Sequence, residues 1–396
     1  GMKAMKMALY SSVFGDTFSD IMLIFAAGFL ASIALNFGPP EYTLLTGFSL
    51  ICISSLTGNS VWKGLLSVFL GMIIGMIGLD PITATPRLTF DYLELEEGIG
   101  LIPMLIGTLA VSEALRQMEQ PIKKLASSTL SFSKNKIDNI VTWAEFKSTL
   151  PTIVKSSGLG TLIGAMPGLG STIAAFLAYG EAKRSSKFPE KFGKGSLEGV
   201  AASEAANNAV SGSNMIPLLA FGIPGDIAAA LIMGAFLIQG ITLGPVVFQD
   251  NPVEIYAIFA ALIVANLLNL VLGHGLIKMC KHVVTVPKRL LFPAVLVVAS
   301  AGAYALRGSL FDIQLVFCFG ILGYLMMKCD IPTVPMLIGF ILIPIFEENL
   351  RITILLGSSH DLNIGFIFTR PAFLTLLFVM MVASFIVVKR RKLQNL

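Results

Sequence analysis

Residues 151–180 read PTIVKSSGLGTLIGAMPGLGSTIAAFLAYG. The stretch is mostly apolar, and Met166-Pro167-Gly168-Leu169-Gly170 interrupts it at the middle. Proline removes a backbone donor and clashes with the preceding turn. Glycine lets the chain turn at little steric cost. A membrane span needs about 20 mostly apolar residues, so these 30 are too many for one span. The stretch reads as two helical pieces joined at a Pro-Gly break. A second break, Gly222-Ile223-Pro224-Gly225, closes the apolar stretch 198–222.

Working outward, the whole chain has the composition that such breaks imply. It has 396 residues, 55% hydrophobic and 13% charged, with mean hydropathy +0.81. Soluble domains carry about 25% charged residues. Half that share places most of the chain in the lipid bilayer. Apolar stretches fall near 18–36, 43–58, 64–79, 99–115, 151–180, 198–222, 226–248, 253–277, 290–306, 309–327, 331–346 and 372–388. Lys3 and Lys6 precede an apolar run as in a signal peptide, but many further spans follow, so that run reads as an uncleaved first helix. Cys52, Cys280, Cys318 and Cys329 form no CxxC pair and read as small apolar residues in packed helices.

Basic loops fix an expected orientation. Arg116–Lys147 holds six Lys/Arg, Lys183–Lys194 five, Lys278–Arg289 four and Lys389–Lys392 four. Placing all of these inside puts both termini in the cytoplasm and leaves Arg87, Arg307, Arg351 and Arg370 outside. The outer loop 80–98 then carries Asp80, Asp91, Glu94, Glu96 and Glu97. Parity fails twice, at 151–180 and between 198 and 277, and each failure contains one Pro-Gly break. Re-entrant hairpins resolve both. The fold expectation is an all-α integral membrane protein, a polytopic helical bundle with re-entrant or discontinuous helices at the breaks. Residues 1–115 form N-terminal transmembrane helices and 116–150 a cytoplasmic basic loop, with an amphipathic surface helix near 137–150. Residues 151–250 form a transport core with broken helices, and 251–396 the C-terminal transmembrane helices.

In lipid, backbone groups freed at a break must be satisfied by protein or by a wet cavity. Broken helices at depth therefore suggest a site of the secondary-transporter kind. Ordinary kinks are the bland alternative, since Gly and Pro are common in membrane helices. After the first break, Gly170, Ser171 and Thr172 would cap a half-helix over 173–179, whose positive end suits a carboxylate. Pro167, Gly168, Gly170, Ser171 and Thr172 are thus candidate substrate residues. Between the breaks, Glu204, Asn207, Asn208 and Ser211 recur at helical spacing, with Asn214 near the same face. Such a stripe is either interhelical glue or a ligand path. Its density beside two breaks assigns Asn207, Asn208 and Ser211 to substrate. Asn208, Asn214, Gly222, Pro224, Gly225 and Asp226 are the candidate cation residues. Asp226 reads equally as a helix N-cap.

Enzyme chemistry is not indicated. His274, His282 and His360 lack a nucleophile or metal-ligand partner in the sequence, and Walker A, HExxH and nucleophile-elbow motifs are absent. No basic cluster interleaved with aromatics points to nucleic acid. No cofactor is expected.

Taken in order, these motifs resemble the large membrane (permease) subunit of the tripartite tricarboxylate transporter family. The core match is Gly164-Ala165-Met166-Pro167-Gly168-Leu169-Gly170, Glu198-Gly199-Val200-Ala201-Ala202-Ser203-Glu204-Ala205-Ala206-Asn207-Asn208 and Gly222-Ile223-Pro224-Gly225. Flanking matches are Gly38-Pro39-Pro40-Glu41-Tyr42, Gly78-Leu79-Asp80-Pro81, Glu347-Glu348-Asn349-Leu350-Arg351 and Phe368-Thr369-Arg370-Pro371. The resemblance implies an ion-coupled importer in the bacterial inner membrane. It would take tricarboxylates or related carboxylates from a periplasmic solute-binding protein and work with a small membrane subunit. Na+ is the implied coupling ion. The family pattern also implies an earlier PGLG-like break that this sequence does not contain. The alternative expectation is therefore a truncated relative, or a half-permease completed by a separately encoded N-terminal half. Asp226 stands where the family pattern implies a small or hydroxyl residue.

Overall fold

The computed structural model describes residues 2–56, 60–119, 139–166, 170–283, 288–359, 364–378 and 380–381. Helices dominate. They are α1 (Met2–Ala34), α2 (Pro39–Leu56), α3 (Val61–Gly75), α4 (Leu93–Glu96), α5 (Leu101–Leu105), α6 (Ser112–Met118), α7 (Trp143–Gly164) and α8 (Gly170–Ser185). There follow α9 (Leu197–Phe221), α10 (Ile227–Ile238), α11 (Val247–Asp250), α12 (Pro252–Val283), α13 (Lys288–Arg307), α14 (Leu310–Lys328) and α15 (Val334–Ser359). A π-helical turn, Ile106–Val111, joins α5 to α6. A two-residue hairpin pairs β1 (Gly78–Leu79) with β2 (Pro86–Arg87). Among the described residues, α1, α12 up to Ile277, and α14 are long and apolar enough to cross a membrane.

Two compact units divide the chain. The first joins residues 1–32 to 114–297, and the second joins 33–113 to 298–396. In the first unit, α7 and α8 form an antiparallel hairpin. Lys155 meets Glu181 at the open end, and Ile163 packs with Ala174 beside the break. The middle of α7 therefore lies beside the last turns of α8, and α7 extends beyond it toward Trp143. α9 packs along both, with Ala206 and Val210 in the same apolar cluster as Ala174 and Ala178. α1 runs parallel to α9, from Met7 beside Ala201 to Leu23 and Ala27 beside Met215 and Leu219.

Small residues allow these close approaches. Gly160 and Gly164 on α7 press on Ala206, Val210 and Ser213 of α9, and Gly15 of α1 presses on the Ala205 carbonyl. A side chain at any of these would drive the backbones apart. Lipid tails are as apolar as leucine, so intimate packing rather than hydrophobic burial holds such helices together.

The expected surface helix near 137–150 does not form as a separate element. Residues 143–150 are the first turns of α7, which runs on through Pro151. A capping box at Thr142 and Glu145 starts it: the Glu145 N–H donates to Thr142 Oγ1, and the Thr142 N–H donates to Glu145 Oε2. That closure satisfies two end groups reciprocally, so the helix begins well before its apolar stretch. The 120–138 part of the basic loop lies outside the described residues.

In the second unit, α15 packs against α2 and α3, and α14 against the π-helical turn. Two ion-pair groups tie distant segments together. Glu41 is fully buried and accepts from Arg370 Nε at 2.6 Å and from the Gly38 N–H at 2.8 Å. Asp80 accepts from Arg351 Nη1 at 2.8 Å, and Glu347 bridges Arg351 and Arg87 at 2.8 and 2.7 Å.

Candidate functional site

The site is assembled in the first unit around α9. Ser196 caps its start, its Oγ accepting from the Gly199 N–H at 3.2 Å. Its end is set by Gly222, whose φ of 69° is left-handed, a conformation glycine adopts without a Cβ penalty. The Gly222 N–H donates to the Leu218 carbonyl at 2.9 Å. Gly222 therefore terminates α9, and Ile223 and Pro224 carry the chain, buried, to Gly225.

Gly225 meets the first break. A Cβ added there would lie 2.6 Å from Asn214 Oδ1 and 3.3 Å from the Gly164 carbonyl oxygen. Gly164 is the last residue of α7, so its carbonyl belongs to the negative end of that helix. Asn214 is 2% exposed, and its Oδ1 has no hydrogen-bond donor among the described residues. The Asn214 amide oxygen and the Gly164 carbonyl oxygen thus both lie against the bare backbone of Gly225, which packs too closely to admit a side chain. An orphaned acceptor such as Asn214 Oδ1 costs about 1–3 kcal/mol.

Asp226 has a different task. Its Oδ1 accepts from the Ala229 N–H at 3.0 Å, and it is the N-cap of α10. Between its two sequence readings, the helix cap is the contact the geometry contains.

The stripe on α9 divides among three neighbours. Asn208 Nδ2 donates to Ser12 Oγ at 2.8 Å and to the Glu204 carbonyl at 2.9 Å. That part joins α9 to α1, as interhelical glue would. Asn207 turns the other way. With Thr172, Ala175, Phe176, Tyr179, Ser203 and Glu204 it lines an open cleft of about 490 Å³. Ligand pockets run from about 300 to 1,000 Å³. Ser211 is exposed, and Asn214 faces the break. The expected cap residues sit slightly deeper in the helix than read, because α8 already begins at Gly170 and runs to Ser185, so Ser171 and Thr172 occupy its first turn. Gly170 has φ 67° with open space around it. Pro167 and Gly168 lie outside the described residues.

A larger cavity, about 1010 Å³, opens at the far end of the α7–α8 hairpin. Four lysines and three glutamates line it, so its charges nearly cancel. The cleft beside Asn207 is the smaller space, but it takes in Thr172 from the first turn of α8 and Glu204 and Asn207 from the stripe, so it is the candidate substrate site.

Sequence reading missed the contribution of α1. Asp20 is 4% exposed, accepts from Asn266 Nδ2 at 2.7 Å, and faces Gly212 of α9. Asp16 stands one turn before it. Two aspartates four residues apart at the head of an apolar helix were the available signal, since ionisable groups within spans are rare and functional.

Comparisons with known proteins identify the family. Over 350 residues the chain is 37% identical to an uncharacterized 52.8 kDa protein in the TAR-I ttuC' 3' region of Agrobacterium vitis, covering 88% of this chain and 68% of that protein. Over 192 residues it is 43% identical to a protein in the TAR-II ttuC' 3' region of the same organism, covering 48% of this chain and 79% of the relative. No solved structure matches. Residues 1–338 match the family description "Tripartite tricarboxylate transporter TctA family". The chain is thus a membrane protein and not an enzyme, and it belongs to the tripartite tricarboxylate transporter TctA family.

Proposed function

We propose that this chain is the permease subunit of a Na+-coupled secondary transporter that imports tricarboxylates or related carboxylates. In this reading it lies in the bacterial inner membrane with both termini cytoplasmic. A periplasmic solute-binding protein delivers the substrate, and a small membrane subunit completes the assembly. The observation that carries the coupling is the unpartnered, buried Asn214 Oδ1 beside the Gly164 carbonyl. Neutral oxygens at the carbonyl end of a broken helix are the donor set by which transporters hold a small cation. Hard oxygen ligands suit Na+, and the side-chain-free Gly225 lets its backbone approach both oxygens closely.

The carboxylate is assigned to the cleft lined by Thr172 and Asn207, where the first turn of α8 contributes free N–H groups. Glu204 also lines this cleft. Its fixed negative charge opposes an anion, so carboxylate binding there requires a cation nearby. That requirement gives coupling a physical basis: substrate and ion stabilise each other, reciprocally. The α7–α8 hairpin and the twelve-residue α10 are the re-entrant elements of this reading. At 1.5 Å per residue α10 is about 18 Å long, short of a bilayer core of about 30 Å.

Uptake of radiolabelled citrate and related carboxylates, by cells carrying the permease with its two partner components, tests this. Uptake should require Na+ and fail with choline at equal ionic strength. Ser171→Asp should raise the substrate KM about tenfold with a smaller shift in Na+ dependence. That factor is about 1.4 kcal/mol, within the range for a hydrogen bond to a charged group. Equal uptake in Na+ and choline would remove the coupling, and an unmoved KM in Ser171→Asp would remove the substrate assignment.

A further inference from the structure

We infer that the segment 80–97 of the second unit is the docking surface for the soluble, carboxylate-delivering component, and that this component meets it with basic residues around an apolar contact. The inference rests on the tripartite reading above.

The segment is not built for lipid. Its backbone is irregular apart from the end of the β1–β2 pairing and the single turn of α4, and lipid-exposed irregular backbone is not tolerated in the hydrocarbon region. Its base is nonetheless rigid. Asp80 Oδ1 accepts from the Ile82 and Thr83 N–H groups at 2.9 Å each, and its carboxylate holds Arg351. From this base the chain lifts Leu88, Phe90 and Asp91 at φ 54°, 51° and 63°. Bulky residues rarely adopt that conformation, and where they persist in it the surroundings hold them there.

The side chains it presents are large and apolar. Phe90 is 74% exposed, Tyr92 63% and Leu93 74%. Around them stand the exposed Asp91, Glu94 and Glu97 and the half-exposed Glu96. An aromatic centre with a charged rim is the anatomy of a protein interface.

Charge decides among the occupants. Asp91, Glu94 and Glu96 have no ion-pair partner among the described residues. Among the described residues the arginines of this unit are already engaged: Arg87 and Arg351 by Asp80 and Glu347, Arg307 by Asp312 and Glu97, and Arg370 by Glu41. A second copy brings the same acidic rim with its arginines likewise engaged. Anionic lipid headgroups repel the rim. A soluble partner with a basic rim is the occupant that matches, and such complementarity sets encounter and register.

The full chain, reconstituted in phosphatidylglycerol-containing nanodiscs with its small membrane subunit, would be titrated with the purified soluble component by biolayer interferometry. Wild type should bind, with Kd rising as salt rises. Glu94→Lys combined with Glu96→Lys should weaken binding about tenfold and flatten the salt dependence. Phe90→Ser combined with Leu93→Ser should weaken it about tenfold with the salt slope kept. These side chains are at the surface, so all variants should elute as the wild type does. If wild type binds and both variants bind equally well, the docking surface lies elsewhere while the tripartite reading stands. If wild type does not bind at all, the tripartite reading of this chain fails and the docking inference falls with it. A Phe90→Trp reporter separates the bilayer from the partner. Emission that shifts blue on adding the soluble component supports docking. Emission already blue in the nanodisc, and unmoved by the partner, assigns Phe90 to the membrane interface and overturns it.

Discussion

Removing the orphaned amide, Asn214→Ala, separates a cation site from a packing defect by sign. If nothing occupies the gap, the Asn214 Oδ1 is an unsatisfied buried acceptor that costs about 1–3 kcal/mol. Its removal then stabilises the fold by up to that amount, less the small cavity left behind. If Na+ binds there, the native state gains RT ln(1 + [Na+]/Kd), about 2.7 kcal/mol at a hundred times Kd. A gain of that size raises Tm by about 3 °C for a protein of this size. The assay is thermal unfolding of purified protein in NaCl against choline chloride at constant ionic strength. Wild type should gain several degrees in Na+, and Asn214→Ala should lose that gain while matching wild type in choline or exceeding it. Gly225→Ala should lose the Na+ gain as well but fall below wild type in choline, because its Cβ would stand 2.6 Å from the buried Asn214 Oδ1 and overpack the site. A wild type whose Tm is the same in both salts, with Asn214→Ala raised in both, would refute the reasoning and make Asn214 an ordinary defect.

Three further outcomes follow from the geometry. Asp226→Ala should cost about 1 kcal/mol of stability through loss of the α10 cap, and Asp226→Asn close to nothing, since asparagine caps as well as aspartate; Na+-titrated uptake should be unmoved in Asp226→Asn. Arg370→Ala leaves the fully buried Glu41 carboxylate without its cation and should cost roughly 3 kcal/mol or more, seen as lost expression and partly rescued by adding Glu41→Gln. The Thr83 and Ile82 N–H groups, with the Arg351 guanidinium, hold the Asp80 carboxyl well below the usual carboxylate range. Its stabilisation of the β1–β2 loop is therefore complete above the ordinary aspartate pKa of about 4 and is lost only as pH falls below it; the exchange protection factors of residues 80–88, relative to the intrinsic rate at each pH, should be the same at pH 7 and pH 5 and fall toward pH 3, and Asp80→Asn should remove that pH dependence.

Composition alone gave the class, because a chain with 13% charged residues cannot solvate its surface as a soluble protein does. The two Pro-Gly stretches also gave the helix ends near Gly164 and Gly222, since the conformations of proline and glycine are local properties. Basic-loop parity asked for a re-entrant element at 151–180, and the fold contains a helical hairpin there, with Lys155 beside Glu181. The polar stripe was legible as a face of α9, but helical periodicity says which residues share a side and not what stands opposite. Packing decided that Asn208 meets Ser12 of α1, that Asn207 lines a cleft with Thr172, and that Asn214 and the Gly164 carbonyl both lie against Gly225. Of the two readings the sequence left open for Asp226, the fold contains the helix cap. The flanking motifs were recognisable as words, but Glu41 and Arg370 lie far apart in the chain and meet only in the fold. Local chemistry is written along the chain. A long-range partner is chosen by which backbones can approach, and here glycines on α1, α7 and α9 make that choice.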